Sequence, residues 1–195
     1  METTPDLFGD VLPTLDTERL RLRHPRPADA EAVLAIFGDI RAMRYWSHEP
    51  LEDLGAAQRY LAEIDTGFAE RVLFQWAITE PDPDQLIGTV TLTAWDRTNR
   101  HAEVGFVLAP AQWGTGYASE AVRAVLGFGF GRMDLHRIEA ELDPRNGGSE
   151  RLLRRLGFRR EGLLRQRWYL YNEWCDSLLY GLLRADWERS HAGPA

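Results

Sequence analysis

The sequence predicts a single mixed α/β (α+β) domain. Two stretches of helical spacing precede a run of strands, and from Ala102 onward strand-like and helix-like stretches alternate. No internal repeat, low-complexity tract or linker interrupts them, and 195 residues fit one domain with a proper core.

Met1 to Leu12 lacks periodicity and is expected to be a loose leader. Thr17 to Arg23 (T-E-R-L-R-L-R) alternates apolar and charged side chains, the pattern of a half-buried strand with its arginines on a solvated face. Pro25-Arg-Pro27 ends it. A helix follows from near Asp29 to Gly38, carrying Ala30, Val33, Leu34 and Phe37 at helical spacing. A second is expected from about Leu54 to Glu70, its inner face formed by Ala57, Tyr60, Leu61, Ile64 and Phe68. Between them, Met43 to Pro50 (M-R-Y-W-S-H-E-P) is an irregular, aromatic stretch of the kind that carries recognition. Tyr45 and Trp46 there either meet a substrate or cap the core.

Val72 to Thr79 is apolar and β-prone, Pro81 to Asp84 is a turn, and Leu86 to Trp95 reads as a strong strand. Asp96 to Arg100 turns the chain into a further strand, Ala102 to Leu108. The next helix turns Ala118, Ala121, Val122, Val125 and Leu126 inward and fades near Arg132. Arg137 to Leu142 alternates as a strand. Ser149 to Leu156 makes a short helix with Leu152, Leu153 and Leu156 inside. Phe158 to Tyr171 and Cys175 to Leu183 read as strands joined by a turn at Asn172-Glu173.

A 44% hydrophobic and 27% charged content is that of an ordinary soluble globular protein. No apolar run reaches the length of a membrane span and the start lacks the pattern of a signal peptide, so a cytoplasmic location and no membrane partner are expected. Cys175 is the sole cysteine, which excludes an intrachain disulfide and a cysteine-rich metal site. The five histidines show no zinc-type spacing, and no metal is expected. A net charge of −7 argues against nucleic-acid binding; it suits a cationic substrate, or simply solubility. All 23 basic residues are arginine, so the chain has no lysine side chain of its own to acetylate.

Pro110 to Ala121 (P-A-Q-W-G-T-G-Y-A-S-E-A) places two glycines between a strand and a helix. Such a turn aims backbone N–H groups and the positive end of a helix at one point, as a pyrophosphate requires. The pair alone is a weak signal. It gains weight from Asn146-Gly-Gly-Ser149 and Leu156-Gly157-Phe158 downstream, and together they suggest a coenzyme A site.

In order and spacing, W-G-T-G-Y-A-S-E-A, a strand, and then N-G-G-S-E-R-L-L-R-R-L-G-F-R-R-E-G resemble the GNAT acetyltransferase superfamily. The opening T-E-R-L-R-L-R and the late D-S-L-L-Y make the chain most similar to its ribosomal-protein N-terminal (Rim-type) branch. The resemblance spans residues 15–183, leaving 1–14 and 184–195 as terminal extensions. It implies a mixed, mostly antiparallel sheet splayed between two central strands, Ala102–Leu108 and Arg137–Leu142, with helices on both faces. It implies acetyl-CoA as co-substrate, its pantetheine paired with strand backbone at Phe106, Val107 and Leu108. Its pyrophosphate would sit on the loop Trp113, Gly114, Thr115, Gly116, Tyr117, Ala118 and Ser119. Trp113 departs from the family's Gln or Arg at the start of this loop. Leu153 stands where many members carry the tyrosine that protonates the departing thiolate, so that acid must come from elsewhere or be unnecessary.

Acetyl transfer requires a neutral amine. An α-amino group, of pKa about 8, gives up its proton for roughly 3 kcal/mol less than a lysine of pKa about 10.4, so a modest base serves an N-terminal acceptor. Glu103, on the strand entering the coenzyme loop, is the candidate base; the alternative is a strand-edge carboxylate paired with an arginine. Ser149 could donate a hydrogen bond to the coenzyme sulfur, or cap the helix it begins. Asn146 could bind coenzyme backbone or the amine, or shape the turn. His48 and Tyr171 are further candidates for the acceptor site, with surface exposure and packing as their alternatives; Tyr180 shares the latter. The resemblance favours transfer to a protein or peptide N-terminal α-amino group. A small-molecule N-acetyltransferase acting on an amino sugar, antibiotic, amino acid or polyamine competes with it. A non-catalytic acyl-CoA-binding or sensing module is the reading of another class. The protein is expected to be a monomer or a homodimer.

Overall fold

The computed structural model describes residues 8–191. Their centre is one eight-stranded sheet: β1 (Leu15–Asp16), β2 (Arg21–Arg23), β3 (Leu73–Thr79), β4 (Leu86–Asp96), β5 (His101–Leu108), β6 (Arg137–Leu142), β7 (Arg159–Leu170) and β8 (Glu173–Leu183). The order is β1-β2-β3-β4-β5-β6-β8-β7, and every neighbouring pair is antiparallel except β5 and β6, which run parallel. A parallel pair needs a crossover, here α4 (Tyr117–Gly131).

Helices cover both faces. Phe74, Trp76 and Ile78 of β3 point to the same side as Val90 and Leu92 of β4 and pack with Val122, Val125 and Leu126 of α4. Leu152 and Leu153 of α5 (Gly147–Arg155) extend this core. The intervening strand positions, among them Ala77 and Val107, face α1 (Ala30–Phe37) and α3 (Leu54–Ala69). The period of two along each strand thus divides the core into two layers. α2 (Ile40–Met43) and α6 (Arg184–His191) complete the helices, and no helix of the described residues is long and apolar enough to cross a membrane.

Four features differ from the sequence expectation. Thr17 to Arg23 is not one strand: the Thr17 N–H donates to the Leu20 carbonyl and the Thr17 hydroxyl accepts from Leu20 N–H, closing a turn between β1 and β2. Arg23 is not on a solvated face. It is 4% exposed, with two parallel hydrogen bonds of 2.8 Å to Asp29 and one of 2.9 Å to Asp84, the pairing a buried guanidinium requires. Within the expected leader, residues 1–7 lie outside the described residues, but Phe8 and Leu12 are buried in the larger core. The last turn falls one residue earlier than expected, at Tyr171 and Asn172, both with positive φ (50° and 60°), so that Leu170 pairs with Glu173. Two left-handed residues match the twist of a two-residue hairpin.

Candidate active site

β5 and β6 pair only at His101–Arg137, Ala102–Ile138 and Glu103–Glu139, although both strands continue, and beyond Glu103 they part. The direction of the freed backbone follows from the ladder on the other side. Ala109 N–H donates to the Ile87 carbonyl, one step past the Gly88–Leu108 pair. In an antiparallel ladder bonded and non-bonded pairs alternate, so Val107, Gly105 and Glu103 bond toward β4. Val104 and Phe106 then direct their N–H and C=O groups into the gap, and Leu108 its N–H, its carbonyl accepting from the Trp113 indole. Of the three residues expected to offer backbone, Val107 spends its own on Thr89.

The glycine loop begins where the gap opens. Pro110–Gln112 forms a 3-10 turn, and the Trp113 indole N–H donates to the Leu108 carbonyl at 3.0 Å. The tryptophan that departs from the family pattern thus ties the loop to the end of β5. Gly114 and Gly116 have φ of 81° and 86°, a region costly for residues with a Cβ, and Gly116 is the N-cap of α4. The Thr115 hydroxyl donates to the Gln112 carbonyl and accepts from Tyr117 N–H. Among the described residues no acceptor takes the N–H groups of Gly114, Thr115, Gly116, Ala118 or Ser119. A Cβ added at Gly114 would meet nothing within 4 Å, so the loop is open to an approaching group. Unsatisfied amides at a helix start, beside a strand with unpaired backbone, fit an extended ligand with amides at one end and phosphates at the other.

Glu103 stands at the vertex. Burial first, and then the Glu141 and Glu139 carboxylates, raise its pKa above the usual carboxylate range, against the pull of Arg167. Register puts Glu103 opposite Glu139, and the alternation along β6 brings Glu141 to the same face. Glu139 accepts from Arg137 Nε at 2.7 Å and Glu141 from the Trp168 indole at 2.7 Å. Glu103 has no hydrogen bond or ion pair among the described residues; Arg167, which acts on it, pairs with Glu141.

The remaining candidates divide. Trp46 lies over β5: its Cη2 would be 3.8 Å from a Cβ on Gly105, and its ring meets Phe37 and His48 edge to face. His48 binds the Glu49 carbonyl through Nδ1 and is stacked against Phe37, behind Trp46. Tyr171, at the hairpin tip, donates to the Met43 carbonyl at 3.4 Å, which joins the tip to the end of α2. Tyr45 lies under the Arg145 guanidinium, which binds Asp143 and Glu173. Asn146, not Ser149, caps α5: its Oδ1 accepts from Ser149 N–H at 3.1 Å, and the helix begins at Gly147. The Ser149 hydroxyl oxygen is therefore not committed to the cap. Leu153 is buried in the core, and the Tyr180 hydroxyl is committed to Glu150 at 2.7 Å. Sequence reading missed Arg19, which braces the loop from the turn between β1 and β2, and its partner Glu120 in the first turn of α4. Only a contact across 101 residues reveals them.

The model of the acetyltransferase (GNAT) domain matches residues 19–159. The N-acetyltransferase YoaA of Bacillus subtilis, itself uncharacterized, is 34% identical over 174 residues, which cover 89% of this chain and 98% of the relative. The [ribosomal protein uS5]-alanine N-acetyltransferase of Escherichia coli is 28% identical over 89% of this chain and 92% of its own length. Among solved structures, a GNAT-family acetyltransferase from Bacillus anthracis superposes with a TM-score of 0.79 at 28% identity, over 89% of this chain and 99% of that one. A sheet split at one parallel pair, an amide-rich loop at the split and these four matches agree: the chain belongs to the GNAT family of N-acetyltransferases.

Proposed function

We propose that the protein transfers an acetyl group from acetyl-CoA to the α-amino group of a protein or peptide N-terminus. The observation that carries the reading is Glu103, unpaired and with a raised pKa, at the vertex where β5 and β6 part. Acetyl-CoA supplies the thioester that carries the acetyl group. The backbone of Val104, Phe106 and Leu108 would hold its pantetheine arm, and the amides of Gly114 to Ser119 its pyrophosphate. Glu103 takes the proton of the incoming ammonium, directly or through a water, and its raised pKa makes it the stronger base. Ser149 offers its hydroxyl to the sulfur, where the family tyrosine is absent. Trp46 and Tyr171 border the acceptor side.

The α-amino acceptor is supported by its lower pKa, which a single carboxylate base can serve, and by the likeness to the uS5-alanine enzyme. A thiol-release assay with acetyl-CoA tests the reading against N-terminal peptides, amino sugars, polyamines and amino acids. Turnover is expected to be fastest with peptides. Turnover confined to small amines would replace the acceptor assignment. Coenzyme binding without thiol release across the panel would make the protein a binding module.

A further inference from the structure

The turn between β1 and β2 lies against the glycine loop. Glu120, in the first turn of α4, accepts from the Thr17 hydroxyl at 2.7 Å and from the Arg19 backbone N–H at 2.8 Å. The Arg19 guanidinium binds the other carboxylate oxygen through Nε at 2.8 Å and Nη2 at 2.6 Å. Through Nη1 it donates to the carbonyl of Thr115 at 3.0 Å, and it lies 4.7 Å over the ring of Tyr117. A Cβ added at Gly116 would stand 3.4 Å from Nη2, so the guanidinium backs the loop at the helix start. Partial burial pushes the Glu120 carboxyl upward, but the contacts with Thr17 and Arg19 prevail and hold it below its usual value, as an anion.

A carboxylate on the first turn leans toward the helix start, where the free amides converge. Unpaired, it would repel the phosphates those amides hold. We propose that Arg19 is a positioning residue for the coenzyme. It cancels the Glu120 charge beside the pyrophosphate seat and pins the Thr115 carbonyl on the far side of the loop, so the following amides face outward. The proposal rests on the coenzyme placement given above.

Binding of coenzyme A to the full-length protein, followed by calorimetry at low and high salt, tests it. Arg19→Met should raise the coenzyme Kd about tenfold at low salt and less at high salt, where the bared Glu120 is screened. The KM for acetyl-CoA should rise with Kd, while kcat at saturation stays within about twofold, because a loss of uniform binding leaves the chemical step intact. Adding Glu120→Gln to Arg19→Met should restore Kd to within about threefold of the wild type, which a merely misfolded loop would not allow. Wild-type affinity in Arg19→Met, or a double variant as weak as the single, overturns the proposal. If Arg19→Met is unfolded at the assay temperature, Arg19→Lys and Arg19→Gln replace it. Arg19→Lys keeps the charge but not the fork to Glu120 and Thr115, so its Kd is expected to lie between the wild type and an Arg19→Gln about tenfold weaker, and equal values for the two variants overturn the role. Gly116→Glu separates the two levels. Normal coenzyme binding in that variant removes the placement itself, whereas loss of binding there beside an unaffected Arg19→Met removes only the role of Arg19.

Discussion

Glu103 keeps a carboxylate half-buried without a hydrogen bond, next to two others on the same face. That arrangement costs stability, and the sign is definite. A carboxyl whose pKa is raised by folding stabilises the protein when protonated, and the contribution is lost as pH rises through the folded pKa. Glu103→Gln should therefore raise the thermal midpoint at pH 7, a gain that fades below about pH 4, where the wild-type carboxyl is protonated in both states. Scanning calorimetry at the two pH values checks this. The same substitution should lower kcat/KM by about 10²-fold or more at neutral pH with the coenzyme Kd unchanged, and move the acid limb of the pH profile up to the acceptor's own pKa of about 8, because only the neutral amine then reacts. A variant that turns over like wild type would end the assignment of Glu103 as base.

At the scale of elements, two side chains hold strands and loops in register. Arg23 joins β2 to Asp29 at the start of α1 and to Asp84 in the turn between β3 and β4. Asp84 shows the strength of the coupling: burial works against its charge, yet Arg23, Thr79 and Arg26 hold its pKa below the usual range. Arg23→Met strands Asp29 and is expected to cost about 3 kcal/mol or more in urea unfolding, because breaking a buried pair leaves a buried charge unmatched. Trp113 is half exposed, and its side chain is tied to β5 by the indole hydrogen bond to the Leu108 carbonyl. Trp113→Phe keeps the ring and loses the donor. At about 1 kcal/mol for one hydrogen bond, coenzyme binding should weaken about fivefold by calorimetry.

For the whole molecule, residues 8–14 before β1 are part of the fold. Phe8 packs on Phe74 at 4.8 Å between ring centres and borders Phe68, Trp95 and Phe128, and Leu12 is 2% exposed. Removing residues 1–12 should cost about 3 kcal/mol or more and lower the thermal midpoint in a melt, because it opens the larger core. The sequence by itself determined the helices α1, α3, α4 and α5 and the strands β3 to β8, because each repeats its apolar positions at the period of one backbone geometry. It also located the glycine loop and Glu103, since loop chemistry and a charged residue on an apolar strand are local signals. Tertiary structure alone decided what depends on contacts distant in sequence. Arg23 reads as a solvated residue until two aspartates close over it; Phe8 and Leu12 have too few neighbours in sequence to show a period. Arg19 meets the glycine loop only once the sheet and α4 bring them together, and among the described residues Glu103 stands without a partner opposite Glu139, where β5 and β6 last pair. Local periodicity reports which face a residue shares, whereas charge compensation and burial are set by which elements the fold brings to that face.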